Sequence, residues 1–338
     1  MAFEITGTGR AVPPRRVTND ELAKELDTSD EWIRSHTGIG SRHIADENTA
    51  SSDLGLEAAK QALIMAEPGK SLAEAALSLD MIVVATATPD FFGSPATACI
   101  IQDKLGAKRA GAMDVTAGCT GFIYALETAC GLLSLGNRKR VLVVGSDILT
   151  KFTNWADRGS CVLFGDGAGA VVLDNTDAPR TENGRRGVIA TILRADGSGV
   201  EHLFFKGGGS RAPFKAGEIL EKSIYIELNG QAVYNFAVKA MTDTIRDILD
   251  QEGFTMDNVS LIIPHQANAR IVQAAAKRLK IPEEKYFLNI EEYANTSTAS
   301  IPIALDELNR GGKLKKGDLL LTVGFGAGLT YGANLIVW

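Results

Sequence analysis

The chain has 338 residues, of which 45% are apolar and 22% are charged, and its net charge is −6. This length suits two domains or one large domain, and the negative charge argues against nucleic acid as a principal partner. Residues 1–10 lack the pattern of a secretory signal, no apolar run approaches the ~20 residues that span a bilayer, and the four cysteines lack metal-ligand spacing. We therefore expect a cytoplasmic protein with reduced thiols, no membrane association and no bound metal.

The first third of the chain predicts alternating strands and helices. Asp30 is predicted to cap a short helix that ends at Gly38 and carries Trp32 close to several basic side chains. Two interpretations of Trp32 stay open, a core aromatic residue and a platform for a flat, anionic ligand. The other predicted elements are a strand at residues 3–8, a helix at 52–66, a buried strand at 78–88, and a helix at 96–105 with Cys99 facing the core.

Residues 112–133 predict a short strand, a tight turn and an amphipathic helix. Cys119 lies in the turn, between small residues that leave room for an acyl group. Because the first N–H groups of a helix are unpaired and carry the positive end of its dipole, we expect the thiol pKa to fall below its ordinary value of about 8.5. The segment alone leaves two interpretations open, a nucleophile and a small buried hydrophobic residue.

The second half of the chain repeats the order of elements of the first. Such a repeat indicates an internal duplication into two α/β halves, residues 1–175 and 176–338, with the boundary near the polar stretch 174–186. The corresponding segments are 78–84 with 259–263, 141–145 with 319–324, and 164–173 with 325–338.

Three further segments bear on a functional site. The glycines at positions 165, 167 and 169 lead into a strand rather than a helix, so we do not interpret them as a dinucleotide-binding motif. Residues 145–147 are interpreted as a turn that follows a strand at 140–144. Residues 204–222 are rich in glycine and basic side chains, and we expect an inserted loop that borders a site.

His265 and Asn295 occupy the same kind of position as Cys119, a turn just before a helix. Ligands of open α/β sheets bind at the carboxyl ends of strands, so the three turns can converge on one cleft. Residues 324–328 add a flexible backbone that could direct an N–H group at a developing oxyanion. A lone histidine after a strand is more often structural, but a Cys, a His and an Asn at three such turns favour catalysis.

Six segments together resemble a known family. They are DTSDEWI, DVTAGCTGF, FGDGAGA, PHQANARI, NTSTASIPIALDE and GFGAGLTYG. In kind, order and spacing, from the first strand to the last residue, they are similar to those of β-ketoacyl-acyl-carrier-protein synthase III, a family of the thiolase superfamily. The resemblance implies a duplicated, five-layered αβαβα fold.

The resemblance also implies roles for individual residues. The catalytic residues would be Cys119, His265 and Asn295. The backbone N–H groups of Cys119 and Ala327 would form the oxyanion hole, and Phe325 would supply an apolar wall for decarboxylation. Coenzyme A would contact Trp32, Arg158 and Asn268. The carrier-protein-binding stretch would comprise Gln266, Ala267, Asn268, Ala269 and Arg270, with Lys277 and Arg278 on the same helix.

The implied activity begins fatty acid synthesis. An acyl-coenzyme A, which is a substrate and not a cofactor, would acylate Cys119, and a decarboxylative Claisen condensation with malonyl-acyl-carrier protein would follow. The family also implies a homodimer, with residues 91–95 beside the partner's acyl pocket. One alternative is a relative that acylates a different acceptor in secondary metabolism. Another is a non-catalytic scaffold paralogue, which the presence of all three catalytic residues argues against.

The chain departs from the family pattern at three positions. His36 and Gly40 stand where arginines are common, at the mouth used by phosphates, so attraction of phosphates should be weaker unless Arg34, Arg42 or Lys206 substitutes. Ser94 stands near a position where some members place a bulky aromatic residue at the end of the acyl pocket. An acetyl primer preference therefore does not follow from the resemblance.

Overall fold

A computed structural model describes residues 2–176, 186–215, 217 and 224–338. Most of the predicted boundary at 174–186 and part of the predicted loop at 204–222 lie outside the described residues. Within them, no helix is both long enough and apolar enough to cross a membrane.

The described strands alternate with helices along most of the chain. The strands are β1 (Ala2–Ala11), β2 (Arg16–Thr18), β3 (Ser41–His43), β4 (Met81–Ala85), β5 (Gly111–Val115), β6 (Arg140–Ile148), β7 (Asp166–Thr176), β8 (Gly187–Ala195), β9 (Leu203–Phe205), β10 (Ile226–Leu228), β11 (Leu261–Pro264), β12 (Leu319–Gly326) and β13 (Thr330–Val337). The helices are α1 (Asn19–Leu22), α2 (Asp30–Thr37), α3 (Ser51–Ala66), α4 (Leu72–Leu77), α5 (Thr97–Leu105), α6 (Gly121–Ser134), α7 (Arg158–Cys161), α8 (Gly230–Glu252), α9 (Ala269–Leu279), α10 (Ile290–Tyr293) and α11 (Ser300–Arg310).

The main sheet shows the predicted duplication. Its order is β11-β12-β13-β8-β1-β7-β6-β4-β5. The series β1-β7-β6-β4 of the first half and β8-β13-β12-β11 of the second have the same succession of antiparallel, antiparallel and parallel pairings. The strand β5 pairs in parallel with β4. At the corresponding edge of the second half, Ile262 and Tyr286 form a parallel bridge. The two half-sheets meet where Phe3 pairs with Gly187.

The helices form three layers around the two half-sheets. One outer core joins α3, α4 and α5 to the first half-sheet, and another joins α8 and α9 to the second. The central core contains α6 and α11 together with strands from both halves. Side chains such as Phe122, Leu126 and Leu305 are fully buried there, and burying one stabilises the fold by roughly 1.5–3 kcal/mol. The five-layered αβαβα arrangement is therefore confirmed.

Three local predictions differ from the structure. Ser29 rather than Asp30 caps α2, because the Ser29 side chain accepts the Trp32 N–H. Cys99 is exposed, because the buried face of α5 is formed by residues 97, 98, 101 and 105. Residues 145–147 are not a turn, because pairing with β7 extends β6 to Ile148.

Candidate active site

One cavity of about 290 Å³ is lined by residues from both halves. Its walls include Cys119, His265, Asn295 and Phe325, together with Ala327. They include every residue that was predicted as a catalytic residue, as part of the oxyanion hole or as the apolar wall for decarboxylation. The fold thus brings five separate predictions to one place.

Two glycines allow the backbone around Cys119 to approach the backbone around Ala327 closely. Gly118 has a positive φ of 51°, and a Cβ atom built on it would lie 2.7 Å from the Ala327 nitrogen. A Cβ atom on Gly326 would lie 2.5 Å from the Cys119 nitrogen. Any larger residue at either position would push the two backbones apart. The predicted oxyanion hole requires such a close approach of the two backbones.

Cys119 lies in a 3₁₀ turn, Gly118–Thr120, that leads into α6. Burial raises the pKa of its thiol to about 11, and the negative charge of Asp147 adds to this, whereas the neighbouring Ser297 hydroxyl lowers it. The expected lowering of this pKa is therefore wrong, because loss of solvent around the sulfur disfavours the charged thiolate. Loss of solvent therefore favours the thiol over the thiolate.

His265 follows β11 and is 1% exposed. Its backbone N–H donates to Val323 in β12, and its Nδ1 lies 2.8 Å from the Ser300 hydroxyl. Burial lowers the pKa of the imidazole to about 3, so the ring is neutral at physiological pH. The Phe325 ring packs edge-on against it with 5.5 Å between centroids. A neutral imidazole here can act as a hydrogen-bond donor without carrying charge.

The Asn295 amide is oriented by its own backbone segment. Its Oδ1 accepts the Ser297 N–H at 2.9 Å, which leaves the Nδ2 hydrogens as donors on the other side. Ala294 and Ser297 have φ values of 57° and 50°, a region that non-glycine residues rarely adopt. Such strain persists where surrounding structure imposes it, and it concentrates at functional sites.

A buried carboxylate holds this segment against the first half. Asp147 accepts hydrogen bonds from Thr298 at both the N–H and the hydroxyl, and also from residues 86–88. The sequence prediction missed Asp147 because residues 145–147 look like a turn when read alone. Ser297 and Ser300 were missed as well, and the only signal for them was their position between Asn295 and the following helix.

Of the predicted coenzyme A residues, Trp32 and Asn268 line the cavity, and Arg158 lies over the Trp32 ring. The Arg158 guanidinium carbon is 5.1 Å from the Trp32 ring centroid, and the His36 ring stacks on Trp32 at 4.4 Å. Arg158 also donates to the Asp27 carbonyl at 2.6 Å. An adenine ring between Trp32 and Arg158 needs a separation of roughly 7 Å, two van der Waals contacts. The predicted sandwich therefore requires Arg158 to move away from Trp32.

The arginines expected to replace the missing basic residues are already engaged. The Arg34 guanidinium occupies the space beside Gly40, where a Cβ atom would lie 2.5 Å from its Nη2, and it pairs with Asp30 and Glu291. Arg42 is fully buried and donates to two backbone carbonyls. Neither is free to bind a phosphate, whereas Lys206 is exposed.

The predicted carrier-protein stretch divides into buried and exposed residues. Gln266 is 2% exposed, and its side chain hydrogen bonds to the backbone of residues 264, 287 and 289. Ala269 is also buried, so neither side chain can contact a protein partner in this conformation. Arg270, Lys277 and Arg278 are exposed on α9 and can contact a partner.

Ala267 and Asn268 line the cavity between these groups. Asn268 caps α9, since its Oδ1 accepts the Arg270 N–H, and its Nδ2 donates to the His36 carbonyl at 3.1 Å. Its amide thus joins α2 to α9 at the cavity mouth. Across the described ranges, no cluster of His, Cys, Asp and Glu side chains is arranged to hold a metal ion.

Comparisons with known proteins show the family. The family model for 3-oxoacyl-[acyl-carrier-protein (ACP)] synthase III matches residues 113–197, and the model for its C terminal matches residues 249–338. The chain is 50% identical to the beta-ketoacyl-[acyl-carrier-protein] synthase III of Clostridium perfringens (strain SM101 / Type A), over 98% of both chains. It is 48% identical to the protein of that name from Caldanaerobacter subterraneus subsp. tengcongensis, over all of this chain and 98% of the other.

A solved structure gives the same result for the fold. The crystal structure of 3-oxoacyl-[acyl-carrier-protein] synthase III from Aquifex aeolicus VF5 matches with a TM-score of 0.88 and 42% identity, over the full length of both chains. These matches also favour fatty acid synthesis over the alternative of a different acyl acceptor. The chain belongs to the β-ketoacyl-[acyl-carrier-protein] synthase III family, the condensing acyltransferases that initiate fatty acid synthesis.

Proposed function

We propose that this chain joins the acyl group of an acyl-coenzyme A to a malonyl-acyl-carrier protein in two half-reactions at Cys119. In the first, the Cys119 sulfur attacks the thioester carbonyl carbon and a new C–S bond forms. The bond to coenzyme A breaks, and the thiol proton leaves with coenzyme A. The N–H groups of Cys119 and Ala327 hold the oxyanion, and one such donor typically contributes about 3 kcal/mol to lowering the barrier.

In the second half-reaction, malonyl-acyl-carrier protein enters the same cavity. His265 and Asn295 donate hydrogen bonds to its thioester carbonyl, which stabilises the enolate as the bond to the carboxylate breaks and carbon dioxide leaves. The apolar ring of Phe325 disfavours the charged carboxylate and favours neutral carbon dioxide. The enolate carbon attacks the acyl group, the bond to Cys119 breaks, and the released sulfur takes up a proton.

The observation that carries this proposal is the convergence of a cysteine, two oriented donors and a pair of adjacent backbone N–H groups in one cavity. Intact mass spectrometry tests it. Incubation with a panel of straight and branched acyl-coenzyme A thioesters should add one acyl group. Malonyl-acyl-carrier protein should then remove that group and yield 3-oxoacyl-carrier protein and carbon dioxide in equal amounts. An acyl-enzyme that malonyl-acyl-carrier protein fails to discharge contradicts the proposal.

The same panel reports the primer. Ser94 does not line the cavity, whereas the large apolar side chains of Leu149, Phe205 and Ile226 do. We therefore expect a primer whose acyl chain packs against these apolar side chains. Trp32 and Arg158 are proposed to bind the adenine of coenzyme A once they separate, with Asn268 beside the pantetheine arm.

Two partners belong to the proposal. Carrier proteins are acidic, and the exposed Arg270, Lys277 and Arg278 form a basic face for docking. The second partner is another copy of this chain. Phe91 and Phe92 are 54% and 55% exposed, which favours a homodimer that covers residues 91–95. Light scattering at micromolar concentration should give twice the chain mass, and a monomeric mass contradicts the dimer. We place the enzyme in the cytoplasm, where thiols stay reduced.

A further inference from the structure

The imidazole of His265 can serve the second half-reaction only if the correct ring nitrogen carries the proton. A neutral imidazole has one N–H donor and one acceptor nitrogen. The described residues give its Nδ1 one hydrogen-bond partner, the Ser300 hydroxyl at 2.8 Å. Whether the other nitrogen, Nε2, is a donor or an acceptor therefore depends on which way the Ser300 hydrogen points.

The surroundings of Ser300 decide that direction. The side chain is 2% exposed, so water does not compete for its hydrogen. Its oxygen accepts the Gln266 N–H at 3.4 Å, and within the described residues the His265 Nδ1 is its only other hydrogen-bond partner. If Nδ1 carried the proton, the hydroxyl hydrogen would be buried without an acceptor, which is unfavourable. The hydroxyl therefore donates to Nδ1, and the imidazole proton stays on Nε2.

The arrangement is held from two sides. Ser300 is the first residue of α11, at the end of the segment that begins with Asn295. Gln266, whose N–H fixes the serine oxygen, is itself locked because its side chain hydrogen bonds to the backbone of residues 264, 287 and 289. One segment thus orients both donors, since the Ser297 N–H also fixes the Asn295 amide.

We propose that Ser300 is a positioning residue that keeps the His265 proton on Nε2, so that the imidazole meets the malonyl thioester carbonyl as a hydrogen-bond donor. This inference rests on the proposed function for the identity of that carbonyl. It gives Ser300 no part in acyl transfer to Cys119, because the partner of the imidazole arrives only with the second substrate. The effect of losing Ser300 should therefore be confined to one half-reaction.

The test uses the full-length protein with Ser300→Ala, Ser300→Thr and Ser146→Ala. Ser146 is a matched control, a fully buried serine outside the cavity whose hydroxyl donates to the Ser51 carbonyl at 2.7 Å. The chain has four histidines, so ¹⁵N-histidine labelling and long-range ¹H–¹⁵N correlation can report the tautomer of each ring, with His265→Asn to assign the signal. A purely structural role of Ser300 would not change the tautomer.

We expect the Nε2–H tautomer for His265 in the unaltered protein, in Ser300→Thr and in Ser146→Ala. In Ser300→Ala the Nδ1–H form should appear, and malonyl decarboxylation should fall about ten- to hundredfold, the effect typical of losing a group that orients a functional histidine. The rate of Cys119 acylation by acyl-coenzyme A in Ser300→Ala should stay within about twofold of the rate in the unaltered protein, because the imidazole acts only in the second half-reaction.

Two outcomes overturn the inference. One is the Nδ1–H tautomer in the unaltered protein, and the other is an unchanged tautomer in Ser300→Ala, whatever its rate of decarboxylation. Failure of the proposed function looks different, because the unaltered protein would then release no carbon dioxide from malonyl-acyl-carrier protein. The tautomer spectra remain readable in that case, since they need no substrate.

Discussion

The two duplicated halves bring the same kind of turn to the centre of the molecule, and only one of these turns carries the nucleophile. The 3₁₀ turn Gly118–Thr120 leads into α6, and the 3₁₀ turn Ser297–Ala299 leads into α11. The turns pack against each other, with Cys119 in the first and Thr298 at the middle of the second. Thr298 is fully engaged by Asp147, whereas Cys119 faces the cavity.

The glycine-rich segments show the same division. Asp166, the first residue of β7, follows a Phe-Gly pair, and Ala327, which lies between β12 and β13, follows another. The Asp166 carboxylate is buried and accepts hydrogen bonds from Ala45 and Thr150, while Ala327 has no polar side chain and lies with its N–H beside Cys119. The shared backbone fold brings the turns together. At corresponding places, one half has a polar side chain that holds the structure, and the other has a residue that lines the cavity.

The largest expected effect is on the nucleophile that distinguishes the first turn. Cys119→Ala should abolish the covalent mass increase with acyl-coenzyme A, because no other sulfur faces the two adjacent N–H groups. Alanine variants of Cys99, Cys130 and Cys161 should keep it. A mass increase that persists in Cys119→Ala would place the nucleophile elsewhere.

The second half should matter for a different step. His265→Ala and Asn295→Ala should each lower malonyl decarboxylation about 10²–10³-fold, the usual cost of one donor to a developing oxyanion. Cys119 acylation should change far less, because the carbonyl that these donors bind comes with malonyl-acyl-carrier protein. Stopped-assay mass spectrometry measures acylation, and carbon dioxide release measures decarboxylation. Equal losses in both steps would mean that the donors activate the thiol.

The environment of Cys119 predicts an unusual pH dependence. Since burial raises its pKa to about 11, the thiolate fraction and the rate of alkylation by iodoacetamide should rise about tenfold per pH unit, or about a hundredfold between pH 8 and pH 10. Mass spectrometry of the Cys119 peptide measures this rate. A plateau near pH 8 would show that the helix N-terminus outweighs burial after all.

The buried carboxylate of Asp166 predicts a pH dependence of protein stability. Burial raises the pKa of its carboxyl to about 6, so the folded protein binds this proton more tightly than the unfolded chain. The stabilisation is complete below the unfolded pKa of about 3.9 and is lost as the pH rises through 6, with a total on the order of 2–3 kcal/mol. Asp166→Asn should remove this slope from urea unfolding between pH 4 and pH 6. An unchanged slope contradicts the assignment.

The smallest effect concerns the outer surface. Arg270→Glu with Lys277→Glu should raise the Michaelis constant for malonyl-acyl-carrier protein several-fold and flatten its salt dependence, because exposed charges act on encounter and are screened within about 8 Å. Acylation by acyl-coenzyme A should change little. Lys24→Glu with Lys108→Glu, two exposed lysines outside α9, is the matched control for net charge. If both substrates are affected equally, the carrier protein docks elsewhere.

Much of the fold could be predicted from local patterns. The buried strand at 81–85 is a continuous apolar run, the strand at 319–326 is interrupted only by Thr322 and two glycines, and helices such as 269–279 have three- and four-residue periodicity, so each element could be identified from its own residues. The duplicated order of these elements was visible as well. Cys99 shows the limit, because periodicity places a residue on a helix but does not say which face meets the core.

The sequence by itself determined which reactive side chains stand in turns just before helices, namely Cys119, His265 and Asn295, because the signals for a turn and a helix start lie in neighbouring residues. Only the tertiary structure decided their electrostatics and orientation. The Cys119 pKa rises because distant segments exclude water, Arg34 is neutralised by Glu291, and the His265 proton is directed by Ser300, 35 residues away. Burial and hydrogen bonding depend on groups brought together by folding, and no local pattern in the chain contains them.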